Sequence, residues 1–181
     1  MSEEGAIEMF VGGLVLDPAT QAPVVVLRDA SGEIHIPIWI GVNEATSIAS
    51  ALKDIKLPRP LTHDLMSNIF NEVGITVQSV TITDLQDSTY ISKLSLAMGE
   101  RLMVLDARPS DAIALAVRTD APIFVNKEVV AQARIVATVV EVEEAEDSPS
   151  ASGSDDFQQI DKDRWSEMLE NLDPEDFKFK V

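Results

Sequence analysis

Between Ile34 and Ile55 the chain changes its hydrophobic period, and no other stretch restricts the fold as much. Ile34, Ile36, Ile38 and Ile40 alternate strictly, with His35, Pro37 and Trp39 on the other face, which is the pattern of a strand buried on one side. From Val42 the apolar positions become Val42, Ala45, Ile48, Ala49, Leu52 and Ile55, a single stripe of a helix. A strand handing over directly to a helix, each with one apolar face, calls for a sheet with helices laid on it. Pro37 has no N–H to give to a ladder, so its strand belongs near a sheet edge or beside a bulge.

The flanking sequence fits the same scheme. Ile7–Asp17 and Pro23–Asp29 read as strands, and Ala30-Ser31-Gly32-Glu33 as a tight turn. Pro58 and Pro60 impose an extended loop after the first helix. Thr62 is placed to cap a second helix, which carries Leu65, Met66, Ile69 and Phe70 and closes at Gly74. Ile75–Thr83 and Tyr90–Met98 are β-rich around a polar turn at Asp84-Leu85-Gln86-Asp87, and Leu102–Asp106 reads as a short buried strand. Pro109 suits the first position of a third helix, which runs on through the apolar Ala112–Val117. Ile123–Val125 is expected as an inner strand, Glu128–Ala133 as a short helix or turn, and Arg134–Val142 as a further strand.

The expected fold is therefore α+β: a mixed, largely antiparallel sheet with three to four helices packed on it, followed by a flexible acidic C-terminal tail with a short helix. The expected boundaries are a body over residues 1–140, an acidic linker over 141–158, and an amphipathic helical tail over 159–181 built around Ile160, Trp165, Leu169 and Leu172.

Charge and composition narrow the function. The net charge is −17, of which −7 falls on residues 1–140 and −10 on residues 141–181. Neither part has the basic surplus that usually supplies nucleic-acid affinity by phosphate neutralisation, so nucleic acid is disfavoured as a partner on charge alone. The absence of cysteine removes disulfides, thiolate metal sites and thiol nucleophiles, and is compatible with a reducing cytoplasm. The Ser2-Glu3-Glu4 opening lacks the positive charge of a secretory signal, and no run of about 18 apolar residues is present to span a membrane. A cytoplasmic protein without a membrane anchor is expected.

Three clusters carry residues capable of chemistry, each where a strand or loop hands over to a helix: Gly41-Val42-Asn43-Glu44-Ala45, Pro58-Arg59-Pro60-Leu61-Thr62-His63-Asp64-Leu65, and Asp106-Ala107-Arg108-Pro109-Ser110-Asp111-Ala112 with Arg118 beyond it. Helix starts offer free N–H groups and the positive end of the dipole. His63 beside Asp64 can supply a base or ligand pair, or simply a favourable first turn. Arg108 can bridge Asp106 and Asp111 or hold a phosphate with two parallel N–H groups. Arg59, between two prolines, is presented to solvent or to a ligand. Ser110 suits a cap better than a nucleophile, and His35 reads as structural.

In order and spacing these motifs, with Ile36-Pro37-Ile38-Trp39-Ile40-Gly41 ahead of them, resemble the bifunctional nuclease domain across Ile7–Val136. The resemblance implies an α/β body that self-associates, a dimer being the simplest assembly, and that degrades both DNA and RNA. By position, Glu44, Arg59, His63, Asp64, Asp106, Arg108, Ser110, Asp111 and Arg118 fill the family's motif. Two functions follow as expectations. In the first, Asp106, Asp111 and Glu44 hold Mg²⁺ or Mn²⁺, His63 activates water with Asp64 orienting it, Asp106 and Asp111 complete the catalytic set, and Arg59, Arg108, Arg118 and Ser110 bind substrate. In the second, the Arg–Asp clusters are structural and the domain is a non-catalytic, oligomeric binding or regulatory module.

Overall fold

The computed structural model describes residues 5–133; the expectations for a strand over 134–142, the linker and the tail lie outside them. Seven strands and three helices follow in the order β1 (Ala6–Leu16), β2 (Pro23–Asp29), β3 (His35–Trp39), α1 (Val42–Leu52), α2 (Thr62–Val73), β4 (Ile75–Gln86), β5 (Thr89–Met98), β6 (Arg101–Ala107), α3 (Pro109–Thr119) and β7 (Ile123–Asn126). Residues 127–133 form a further helix of about two turns. The strands make one sheet in the order β3-β2-β1-β7-β4-β5-β6. Every neighbouring pair is antiparallel except β4 with β7, so the sheet is mixed and largely antiparallel, as the pattern predicts.

β3 occupies one edge, where Pro37 opposite Val26 costs the ladder no bond on its outer side. Ile36 and Ile38 face the core while His35 and Trp39 are exposed, which fixes the register of the strand by its alternation. The short β7 sits in the middle of the sheet, matching the inner strand expected there. α3 lies at the centre of the helical layer, against α1, α2, β4 and β5. Its run Ala112–Ala116 is buried, and three alanines in that run let neighbouring backbones approach closely.

Four local expectations change. Leu102–Asp106 is not a buried strand: among the described strands β6 is the other edge of the sheet, with Leu102 75% exposed and Val104 and Leu105 half-exposed. Its run of apolar residues resembles a strand covered on both faces, but no helix among the described residues is laid over it. The β4–β5 turn falls at Asp87 and Ser88, both left-handed, rather than at Asp84–Asp87. A bulge between Ile82 and Asp84 interrupts the alternation that marks the strand's end. Thr62 does not cap α2; Leu61 holds the cap position, and Asp64 reaches back to accept the Leu61 N–H at 2.8 Å. Ile55 lies beyond α1, and the ends of the α1 stripe, Val42 and Leu52, remain exposed while Ala45, Ile48 and Ala49 are buried.

α2 is turned in an unexpected direction. Leu65, Ile69 and Val73 are about half-exposed, and the residues it buries are His63 and Ser67. The helix therefore offers a polar face to α1 and α3, and on that face the candidate residues meet.

Candidate functional site

Glu44 stands in the first turn of α1, just after Gly41. A Cβ on Gly41 would collide with the Glu44 carboxylate, so the glycine leaves room for that side chain to fold back over the helix start. There Glu44 Oε1 accepts from Arg108 Nη2 at 2.8 Å. Arg108, the N-cap residue of α3, also donates from Nε to Asp111 Oδ2 at 2.7 Å and from Nη2 to Asp111 Oδ1 at 3.0 Å. This two-point grip on Asp111, with Glu44 adding to it, drives the Arg108 guanidinium further toward its charged form. Among the described residues Nη1 has no partner, and the side chain is 66% exposed.

His63 lies inside this arrangement. Its Nε2 is 3.1 Å from Asp111 Oδ1 and its Nδ1 is 2.8 Å from Ser47 Oγ. The Asp111 carboxylate only accepts, so Nε2 carries the proton it donates there, while the Ser47 hydroxyl can serve Nδ1 either as donor or as acceptor. The chain Ser47–His63–Asp111 has the order of a nucleophile, a base and an orienting acid. Ser47, however, is only 4% exposed, so no substrate reaches its hydroxyl. Burial raises the Asp111 pKa, but the bonds from Arg108 and His63 outweigh it and hold the carboxyl below its usual range.

A second pair hangs from the same serine. Arg118 Nε donates to Asp64 Oδ1 at 2.6 Å, Nη2 to the Ser47 carbonyl at 3.0 Å and Nη1 to the Ala114 carbonyl at 2.8 Å. Its side chain is 7% exposed. Burial pushes the Asp64 carboxyl up, while Arg118 and the Leu61 N–H pull it down further, for a net lowering.

The residues predicted from sequence are thus partly assembled. Glu44, His63, Arg108 and Asp111 form one bonded network, and Asp64 with Arg118 joins it through Ser47. Two partnerships differ from expectation: Arg108 bridges Asp111 and Glu44 rather than Asp106 and Asp111, and His63 is oriented by Asp111 rather than Asp64. Ser110, buried within the first turn of α3, is not its cap. Arg59 is exposed on its loop and makes no side-chain hydrogen bond among the described residues. Asp106 is exposed near the end of β6, apart from the network.

Asp106 instead shares a cleft of about 580 Å³ with Arg108 and Ser110. Trp39 and Tyr90 line it as well. β3 and β6 are opposite ends of the sheet order, yet residues at or beside both line this cleft, so the sheet curls until its two ends approach. The bulges in β1 and β4 supply local bending of that kind.

Among the described residues no group of three or more His, Asp or Glu is placed to share an ion. Glu44 and Asp111 are engaged by Arg108, and Asp106 stands apart, so as arranged the three do not fit a divalent cation.

The sequence reading missed Ser47, Ser50, Trp39 and Tyr90. Ser47 and Ser50 carried a signal: they interrupt the apolar stripe of α1 on its buried side, where a hydroxyl needs a partner. Ser50 Oγ finds one in the Ser47 carbonyl at 2.9 Å.

A strand–helix junction carrying Asp106, Arg108 and Asp111, facing a second junction carrying Glu44 beneath a curled mixed sheet, places the chain in one class. Residues 25–138 match the Bifunctional nuclease domain, and the chain belongs to that family. It is 35% identical to an uncharacterized protein of Mycobacterium tuberculosis over 94% of this chain and 98% of that protein. It is 30% identical to Bifunctional nuclease 1 of Oryza sativa subsp. indica over 62% of this chain and 35% of the plant protein. With Bifunctional nuclease 1 of Arabidopsis thaliana the identity is 27%, over 64% of this chain and 37% of that protein. The chain thus spans about a third of the plant relatives it matches.

Proposed function

We propose that this domain hydrolyses phosphodiester bonds in both DNA and RNA, in the cleft where α3 begins. The observation carrying this reading is the position of Arg108: exposed, fixed at two points on Asp111, and lining a cleft also lined by Asp106, whose carboxylate has no partner among the described residues. An arginine locked in this way presents an N–H pair to a phosphate without reorganising. Asp106 is the carboxylate free to take a proton from attacking water. His63 and Glu44 set the orientation of Asp111 and Arg108 and do not touch substrate. The names of the plant relatives support the reading. Divalent-metal assistance through Glu44 and Asp111 would require Arg108 to release both.

The test is hydrolysis of labelled DNA and RNA by highly purified protein, with and without EDTA, beside Asp106→Ala and His63→Ala. Expected are loss of activity in Asp106→Ala and, if the acids act without an ion, insensitivity to EDTA. Full activity in both variants would place the hydrolysis elsewhere.

A second reading, a non-catalytic module acting as a homo-oligomer, is favoured by one observation. The β6 edge exposes Leu102, Val104 and Leu105 beside a backbone that pairs with no further strand among the described residues, a surface suited to a second copy adding its strand. Leu102→Lys should then yield monomer by light scattering. Unchanged mass in the variant would exclude that edge as the contact.

A further inference from the structure

Trp39 is 48% exposed at the end of an edge strand, yet it is held in place. Its Nε1–H donates to Asp17 Oδ2 at 2.8 Å. Asp17 is itself fixed, because its other oxygen accepts the N–H groups of Ala19 at 2.9 Å and Thr20 at 3.0 Å. Packing alone does not account for this anchoring, since nearly half the residue faces solvent. Trp39 is also among the residues lining the cleft with Arg108 and Asp106. A pinned tryptophan thus lines one cavity with an arginine whose Nη1 has no partner among the described residues. Its volume of about 580 Å³ is within the usual range for a small-molecule site.

We propose that Trp39 is a stacking platform for one unpaired nucleobase, whose phosphate is then carried to Arg108. The proposal rests on the nuclease reading and adds the class of substrate: nucleic acid with at least one base free of its partner, that is, single strands, loops and ends. Stacking on an indole uses the π-face that every base has, so it discriminates little by sequence and works equally for DNA and RNA. It also reduces the need for a basic surface, because part of the affinity comes from the base rather than from phosphate neutralisation. A base within a duplex cannot reach the platform without leaving its stack.

AMP is a suitable probe because it has no phosphodiester bond to cleave. In the full chain carrying Trp165→Phe, Trp39 is the sole tryptophan, and AMP should quench its fluorescence saturably while ribose 5-phosphate should not. By equilibrium dialysis, Trp39→Leu should weaken AMP binding about tenfold or more, the loss of one stacking contact, and Trp39→Phe should lose less. Asp17→Ala, which frees the indole without removing it, should weaken AMP binding by a smaller factor with unchanged circular dichroism. Ribose 5-phosphate binding as tightly as AMP, no saturable quenching, or equal AMP affinity in Trp39→Leu would each overturn the proposal. Binding is read without turnover, so the two readings fail separately. Quenching without hydrolysis of any nucleic acid would leave a base-binding cleft and remove the nuclease. Hydrolysis with Trp39→Leu binding AMP normally would leave the nuclease and remove the platform.

Discussion

Arg108 and Arg118 stand ten positions apart, one at the start and one near the end of the same helix, and both meet aspartate. What separates them is water. Arg118 is almost fully buried and spends its donors on Asp64 and two carbonyls, so removing it takes the charge partner from Asp64 and leaves a hole where the guanidinium packed. Arg118→Met should cost about 3 kcal/mol, near the lower end for breaking a buried pair because Asp64 retains some solvent. Urea denaturation with an unchanged slope would report it. Arg108→Met should cost far less, since an exposed pair contributes about 0–1 kcal/mol. The carboxylates also set a pH dependence. Asp64 and Asp111 both have folded-state values below the usual range. Their contribution is therefore fully present above the unfolded value of about 3.9 and is lost as pH falls through the lower folded values. Asp111→Asn should melt below wild type at pH 7, and the gap should narrow below about pH 4. A gap that stays constant into acid would show that the Asp111 charge does not stabilise the fold.

At the scale of elements, legibility followed the solvent. The α3 run from Ala112 and the Ile36–Ile38 alternation could be read from sequence because each buries a face whose period the residues must match. β6 and α2 misled, because their apolar residues face outward where no neighbour disciplines the pattern. The site was half legible. Residue types at helix starts drew attention to Glu44, His63, Arg108 and Asp111, but which acid meets which base depends on three helices converging, and no local spacing encodes that. Trp39 was read only as the outer face of a strand, because the curl of the sheet that turns this face into a cleft wall is a property of the whole sheet. Gly41 offers an element-level test. Its φ of −76° suits alanine, so Gly41→Ala acts only by displacing the Glu44 carboxylate from the start of α1. Stability should fall by less than about 1 kcal/mol, while hydrolysis should drop as Arg108 loses one of its two anchors. A large loss of stability with normal activity would contradict the role given to Glu44.

For the molecule as a whole, the balance of charge remains the main obstacle to nucleic-acid binding, and it makes a quantitative statement possible. If the cleft engages a strand through Arg108 and an aromatic platform, few counterions are released. The logarithm of affinity for a single-stranded oligonucleotide should then fall with log salt at a slope of about −0.7 per phosphate contact, far shallower than for a basic nuclease. No helix among the described residues is long and apolar enough to cross a membrane. The most direct measurement is the cleavage rate of labelled single-stranded DNA and RNA by the purified chain, compared across wild type, Arg108→Gln and, as a control on the exposed loop after α1, Lys56→Gln. Removing a donor that contacts the transition state should cost about a hundredfold or more in Arg108→Gln, on both substrates, while Lys56→Gln cleaves at the wild-type rate. Equal rates in all three proteins would contradict the assignment of phosphodiester hydrolysis to the cleft at the start of α3.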